Sequence, residues 1–271
     1  SWRPFQDDYS QIYASYSRAF KSPTYNTVNF FDTPESVDEE IVDSFEIGIK
    51  TEIFDGNMKL NGAAFYTEQE NLLTAFISVN SGGIVSYYNA GNSKVSGVEG
   101  DFLWTPFPNW NPGLVLTGSA TYLNTEYTEL RSGNGYDDNT GLAYGPGTLS
   151  GLPGEDFSGN EIPRSPEWTA TFGFNQAFDF GDHSIEVGAD TYYNSGFFFS
   201  PQNSEFQARE EYYLLNARVS YFYLPWDLQL TVFGQNITDE TYNEHLYIGD
   251  FGVNQILNDP AILGGKVKWS F

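Results

Sequence analysis

The sequence predicts an all-β protein, an antiparallel up-and-down transmembrane β-barrel with about ten strands. Three observations lead there. Side-chain polarity alternates with period two over stretches near the roughly 9–11 residues that a tilted barrel strand needs. The connections between these stretches alternate between short turns and long polar loops. Aromatic residues make up 18% of the 271 residues, with 19 Tyr and 23 Phe, and they gather near the predicted strand ends.

In chain order, the alternation places strands over 8–20, 41–54, 57–72, 94–106, 113–127, 166–179, 182–198, 210–223, 226–238 and 260–271. The last is the clearest, with Gly265, Val267, Trp269 and Phe271 on one face and Lys266, Lys268 and Ser270 on the other. Leu228, Leu230 and Val232 alternate in the same way with Gln229, Thr231 and Phe233, and Phe45, Ile47, Ile49 and Ile53 with Glu46, Gly48, Lys50 and Glu52. Trp168, Ala170, Phe172 and Phe174 repeat the theme against Thr169, Thr171, Gly173 and Asn175, as do Leu215, Ala217, Val219 and Tyr221 against Asn216, Arg218 and Ser220. Short turns fall at Asp55-Gly56, Pro106 to Pro112, Phe180-Gly181 and Leu224-Pro225; long loops occupy 21–40, 73–93, 128–165, 199–209 and 239–259. A soluble sandwich has no reason to sort its loops by length onto alternate ends. An outer-membrane barrel does, with short turns at the periplasmic rim and long loops at the cell surface.

The aromatic positions predict two girdles at the two lipid–water interfaces. Tyr122, Tyr127, Trp168, Tyr192, Tyr193, Tyr212 and Tyr213 lie at the outer ends, and Phe102, Trp104, Phe178, Tyr223, Trp269 and Phe271 at the inner ends. Leu230, Val232, Val267, Trp269, Phe172 and Phe174 are expected to face lipid. No window approaches 18 consecutive apolar residues, so no transmembrane helix is predicted, and a mean hydropathy of -0.40 agrees with a barrel carrying large wet loops. The formal charge of -24, from 36 acidic against 12 basic residues, excludes a nucleic-acid partner, which needs a basic footprint. The absence of Cys fits an oxidising compartment. No charged-then-apolar leader precedes Ser1-Trp2-Arg3-Pro4, so the expectation is a mature chain or one whose N-terminal part lies elsewhere.

Four short motifs, in order along the chain, carry a resemblance. They are Tyr13-Ala14-Ser15-Tyr16-Ser17-Arg18-Ala19-Phe20; Tyr88-Asn89-Ala90-Gly91 with Gly97-Val98-Glu99-Gly100; Pro163-Arg164-Ser165-Pro166-Glu167-Trp168; and Asn236-Ile237-Thr238-Asp239-Glu240-Thr241-Tyr242 before a closing strand. Together they resemble the C-terminal part of the TonB-dependent outer-membrane receptors. The resemblance implies a 22-stranded barrel filled by an N-terminal plug. Ten strands are under half of that, and nothing here resembles a plug or a TonB box, so residues 1–271 are expected to be the C-terminal portion of such a barrel. A self-contained ten-stranded barrel is the alternative.

The resemblance implies active import of a scarce nutrient, of the ferric siderophore, cobalamin or glycan class. It implies TonB–ExbB–ExbD as partners through the plug, outer-membrane lipid and lipopolysaccharide around the wall, and no cofactor or catalytic residue. The candidate substrate-loop residues are Phe197, Phe198, Phe199, Tyr144 and Tyr247, with an interfacial belt as the competing reading of the three Phe. Val267, Trp269 and the terminal Phe271 resemble the C-terminal signal read by barrel-assembly machinery. Glu46, Lys50, Asn216, Arg218, Gln229 and Lys266 are expected to line the plug interface, with several ion pairs there. The loop 128–165, with Gly133, Gly135, Asp137, Asp138, Asn139 and Gly141, is read as solvated, since its spacing does not fit an EF-hand; Asp38-Glu39-Glu40 is read as a loop edge. The net charge favours neutral or cationic cargo. Two other classes stay open: a surface protease, for which His245 with Asp239, Asp250 or Asp259 is the one acid–base candidate, and a passive porin. His183 and His245 are expected at opposite rims and hold no metal site between them.

Overall fold

The computed structural model describes residues 10–25, 36–78, 84–145, 152–249 and 252–270. Ten long strands form one antiparallel sheet in sequence order: β1 (Gln11–Lys21), β2 (Glu40–Ile53), β3 (Met58–Ser78), β4 (Ile84–Trp104), β5 (Leu114–Glu129), β6 (Trp168–Phe180), β7 (His183–Asn194), β8 (Tyr212–Tyr223), β9 (Leu228–Gln235) and β10 (Ile262–Trp269). Each strand pairs with its neighbours in sequence, so long loops collect at one rim and tight turns at the other. Among the described residues no ladder joins β1 to β10, and no helix is long and apolar enough to cross a membrane.

The turns follow from their residues. Phe54, Asp55 and Gly56 all take positive φ between β2 and β3, where the Asn57 amide donates to the Phe54 carbonyl at 3.1 Å. Gly181, at φ 63°, closes the β6–β7 turn, a conformation that costs glycine nothing.

Register fixes two faces. From β1 to β10, one face carries Ile12, Ile49 and Val98, then Phe172, Val187, Val219, Val232 and Val267. Phe172, Phe174, Leu230, Val232, Val267 and Trp269 all lie on it and all are exposed, Val232 at 69% and Val267 at 70%. Hydrocarbon chains, rather than a protein core, are the partner such a face requires.

The outer edge of this face bears directly opposed aromatic pairs: Tyr16–Phe45 at 4.9 Å, Tyr122–Trp168 at 4.9 Å and Tyr193–Tyr213 at 4.7 Å between ring centres. Along the ladder, each of these pairs sits one cross-strand row further inward than the one before it, which is the drift that tilted strands impose on a level membrane interface. Charge begins one row further out, where the Tyr16 hydroxyl donates to Asp43 at 2.7 Å and Lys94 pairs with Glu126 at 2.9 Å. Phe102, Trp104, Phe178, Tyr223 and Trp269 occupy the inner end of the same face. Tyr213 to Tyr223 spans ten residues, about 34 Å of strand, or about 25 Å of height at a tilt near 40°, which matches the apolar band of a barrel.

The opposite face is polar and satisfied by cross-strand pairs. Ser44 meets Thr67, Ser119 meets Thr171 and Ser220 meets Thr231, at 2.7–3.0 Å. Asn61 donates to Asp101, and Asn216 donates to Asp190 at 2.7 Å. Gly188 lies between Asn175 and Arg218 in register, and its missing side chain lets Arg218 reach across to Asn175 at 3.2 Å. Glu46, Lys50, Asn216, Arg218, Gln229 and Lys266 are on this face, as expected. The ion pair recorded on it among the described residues is Lys59–Glu52, near the inner end.

Three readings need correction. The segment 73–93 is not simply a loop: β3 and β4 extend through it to Ser78 and from Ile84, past a bulge where Asn71 takes φ 56°. The loop 239–259 contains its own hairpin, Asn243–Gly249 with Gly252–Leu257. Tyr127, Tyr192 and Tyr212, assigned to the outer girdle, stand on the polar face, because each is an odd number of residues from a lipid-facing neighbour on its strand. Phe271 lies outside the described residues.

Candidate functional site

The hydrophobic core of the described chain sits in the long-loop rim rather than in the sheet. Tyr127, Leu130, Tyr144 and Phe157 are buried there, with Leu72, Ala90 and Ile162 packed around them. Two-way backbone bonds between Gly133 and Glu155 tie together the loop that carries this core. Tyr144 belongs to it: the residue is 5% exposed, and burial first, then the nearby Glu155 carboxylate, push its hydroxyl pKa up. It packs the loop and offers no surface to a ligand.

Beside this core, three segments converge above the polar face. The short ladder Phe197–Phe198 with Ala208–Arg209 puts Phe197 opposite Arg209. The Arg209 guanidinium lies over four rings: Phe197 at 4.5 Å, Tyr242 at 4.9 Å, Phe199 at 5.3 Å and Tyr212 at 5.6 Å. Its Nε donates to the Asn243 carbonyl, tying the 243–257 hairpin to the β7–β8 loop. Tyr212 and Tyr242 stack at 4.0 Å, and burial raises the Tyr242 hydroxyl pKa against the opposing pull of Arg209.

Arg164 completes the group. Its guanidinium lies 5.5 Å from the Phe199 ring centre, and its Nη2 meets His245 Nδ1 at 2.6 Å. Guanidinium is donor-only, so His245 Nδ1 accepts there. Arg164 holds φ 60°, a left-handed conformation uncommon outside glycine, fixed by its amide donating to the Phe198 carbonyl at 2.9 Å. Among the described residues neither Arg164 nor Arg209 forms an ion pair with a carboxylate. Two guanidiniums lie against one phenyl ring in a chain of net charge -24, with the Glu244 carboxylate near enough to act on the Tyr242 hydroxyl.

Of the sequence candidates, Phe197 and Phe199 are in this cluster, facing Arg209 rather than lying in the lipid belt. Phe198 contributes its backbone carbonyl. Tyr247 stands apart, exposed on the hairpin. Val267 and Trp269 lie on the lipid face. His245 does not pair with Asp239, whose carboxylate accepts the Ala261 amide at 2.8 Å; Asp250 lies outside the described residues. His183 sits at the opposite rim beside Tyr221 and Tyr223. Asp137 accepts from the Thr140 hydroxyl and from the Thr140 and Asn139 amides, closing a turn, and these bonds lower its pKa. No His, Cys, Asp or Glu group among the described residues is arranged to hold a metal. Arg209, Arg164 and Tyr242 were missed as site residues, because no spacing along the chain links positions that far apart.

A family model described as TonB dependent receptor-like, beta-barrel matches residues 1–237. A probable TonB-dependent siderophore receptor PiuA of Acinetobacter baumannii is 25% identical over 269 residues, covering 95% of this chain and 32% of that protein. A ferric-pyoverdine 358 receptor of Pseudomonas putida is 29% identical over 109 residues, 40% of this chain and 12% of that one. Among solved structures, the ferric yersiniabactin uptake receptor FyuA from Yersinia pestis has a TM-score of 0.73 at 17% identity, over 97% of this chain and 35% of that chain. The siderophore receptor PiuA from Acinetobacter baumannii gives 0.69 at 20% identity, over 97% and 33%. These structural matches establish the fold. The chain spans about a third of the length of PiuA and of both solved receptors.

Proposed function

This chain belongs to the TonB-dependent receptor β-barrel family, an outer-membrane family of Gram-negative bacteria, and on that premise we propose that residues 1–271 form the C-terminal portion of the barrel of a receptor importing ferric siderophores. The observation that carries the reading is the family match over residues 1–237, joined to relatives whose own names are those of siderophore receptors. The outer leaflet with its lipopolysaccharide surrounds the aromatic-belted face, and a plug coupled to TonB–ExbB–ExbD fills the space over the polar face. Substrate meets the receptor at the long-loop rim, where the Arg209 cluster opens above that polar face.

The sheet edges support the C-terminal-portion reading. A strand edge in hydrocarbon leaves N–H and C=O groups unsatisfied, at several kcal/mol each, so β1 and β10 need further strands of the receptor beside them. The polar face tells the same way: Lys266 and Lys268 have a solvated or plug-bound destination and no place in lipid.

The test is iron-starved cells with the receptor gene deleted, supplied with radio-iron as siderophore chelates. Uptake of at least one chelate is expected to fall to background, to return with the complete gene, and to stay at background when TonB is also absent. Unchanged iron uptake together with lost cobalamin or glycan uptake would overturn the substrate reading and keep the receptor.

A further inference from the structure

We infer that His183, Tyr221, Tyr223 and Trp226 form a headgroup subsite on the lipid-facing side of the inner rim, which holds a phospholipid carrying a primary ammonium, of the phosphatidylethanolamine class. The inference asks nothing of the cargo. It needs only that the chain is wall of an outer-membrane barrel, whose tight-turn rim lies at the periplasmic leaflet. Strand parity comes first. Tyr221 and Tyr223 share their strand face with Tyr213 and Val219; His183 stands opposite Tyr223, two residues before Ile185, which stands opposite Tyr221. All three therefore face lipid at the inner end of the apolar band, where headgroups begin. Trp226 follows in the turn between β8 and β9 and is 62% exposed.

These side chains make a corner. The Tyr223 and Trp226 rings meet at 77° with centres 5.3 Å apart, and the His183 ring lies 5.1 Å from Tyr223 and 5.9 Å from Tyr221. The turn backbone braces them. The Leu224 amide donates to the Asp182 carbonyl at 2.9 Å, the Asp227 amide to Leu224 at 3.1 Å, and the Ser270 amide to Asp227 at 3.3 Å, which ties the inner ends of β7, β8, β9 and β10 together. An ammonium is attracted to ring faces within about 6 Å of their centres, so the corner offers it more than one ring. A headgroup phosphate needs donors. The Tyr221 hydroxyl lies 2.6 Å from His183 Nδ1. With that hydroxyl donating, the neutral imidazole carries its proton on Nε2, and this N–H and the Trp226 indole N–H are the two donors for phosphate oxygens.

Charge decides which headgroup fits. Among the described residues no Lys or Arg stands on the inner half of the lipid face: Lys50, Lys59, Arg218, Lys266 and Lys268 all fall on the polar face by register. The tight turns carry carboxylates instead, at Asp55, Asp182 and Asp227. Asp182 and Asp227 are exposed and adjoin His183 and Trp226 in the chain. An anionic glycerol headgroup would meet these carboxylates with no cation to hold it. The ethanolamine zwitterion gives its phosphate to the two N–H donors and its ammonium to the rings and carboxylates. A choline headgroup can use the ring faces but has no N–H to donate to Asp182 or Asp227. An ordinary aromatic girdle settles at the interface without distinguishing headgroups, and that difference is measurable.

The test uses the complete receptor in detergent, as wild type and as three double variants: Tyr223→Leu with Trp226→Leu, Asp182→Asn with Asp227→Asn, and, at the other girdle, Tyr193→Leu with Tyr213→Leu. Heat-modifiability on gels shows that each barrel is folded. Equimolar phosphatidylethanolamine, phosphatidylcholine and phosphatidylglycerol with identical acyl chains are added, and the first lipid retained is identified by native mass spectrometry. Wild type is expected to retain the ethanolamine lipid about fivefold over the glycerol lipid and about twofold over the choline lipid, the scale of one cation–π contact and of one exposed charge pair. The inner ring variant is expected to abolish the preference over the glycerol lipid, the carboxylate variant to lower it by about half, and the outer ring variant to leave it unchanged. Equal retention of the three lipids by wild type would overturn the subsite, as would a preference that survives the inner ring variant. A loss of the same size in the outer ring variant would also overturn it, by making the preference a property of any girdle.

Discussion

The membrane wall and the outer rim of this molecule are stabilised in opposite ways. In the wall, every strand finds its partner within a few tens of residues, apolar side chains point out to lipid, and few are buried by other protein atoms. In the rim, residues distant along the chain pack inward around Phe157 and Tyr144, and around Arg209 and its four rings. Bilayer solvent makes the difference. Where lipid supplies the apolar environment, a strand needs only alternation and a partner for its backbone. Where water returns, loops must again bury their own apolar groups, and a small soluble-style core appears within a few residues of the last membrane-facing Tyr.

That contrast can be broken at several points. The largest effect is expected at Phe157, 3% exposed at the centre of the rim core. Phe157→Ala should cost about 3–5 kcal/mol of local stability, as for other buried Phe truncations. Hydrogen exchange of the Gly133, Glu155 and Phe157 amides is the measurement, and it should accelerate while the barrel keeps its heat-modifiable mobility. Loss of that mobility would mean that rim and wall fold as one unit. Phe172→Arg reverses the experiment: at mid-height on the lipid face it should cost about 2–4 kcal/mol, read by urea unfolding in vesicles, with rim amide exchange unchanged. A silent Phe172→Arg would show the face to be wet.

A smaller effect is expected at Asn236, 7% exposed with φ 46°. Its side chain accepts the Glu240 amide at 2.9 Å and donates to the Glu240 carbonyl at 2.8 Å, where the last strand before the hairpin leaves the wall. Asn236→Ala strands those backbone groups and should cost about 1–3 kcal/mol, again in local exchange, at Glu240 and Ala261. The smallest is a pH effect at Asp137. Hydrogen bonds to its carboxylate lower the folded pKa below the unfolded value. The stabilisation it lends its turn is therefore complete above the unfolded carboxyl pKa, about 4, and is lost as pH falls through the lower folded value. The Thr140 amide resonance should follow that titration, and Asp137→Asn should flatten it.

The wall was legible in the sequence and the rim was not. Ten strands, their order and both faces followed from period-two alternation, because which face a strand residue takes depends only on its neighbours in the chain. Tyr127, Tyr192 and Tyr212 lie near strand ends, but an odd separation from their lipid-facing neighbours puts them on the polar face, so nearness to a rim does not make a girdle residue. The outward continuation of β3 and β4 leaves no clean alternation in the sequence, since polar residues around the Asn71 bulge and Gly91 look like loop. Phe197 and Phe199 were singled out as a cluster in sequence, but the cation they surround was not: Arg209 is one residue of an unremarkable loop, and Arg164 and Tyr242 lie 45 residues before and 33 after it. A contact across loops leaves no period to find.

The β3–β4 hairpin carries one further consequence. Ser78 lies 12 residues beyond Tyr66, about 40 Å of extended chain and roughly 30 Å of height above the outer girdle. A ladder of that height projects past the lipid headgroups, so the orientation of the whole chain can be read from living cells. An epitope inserted between Ser78 and Ile84 would be reached by antibody on an intact bacterium, whereas one placed at Gly181 would be seen only after the outer membrane is opened.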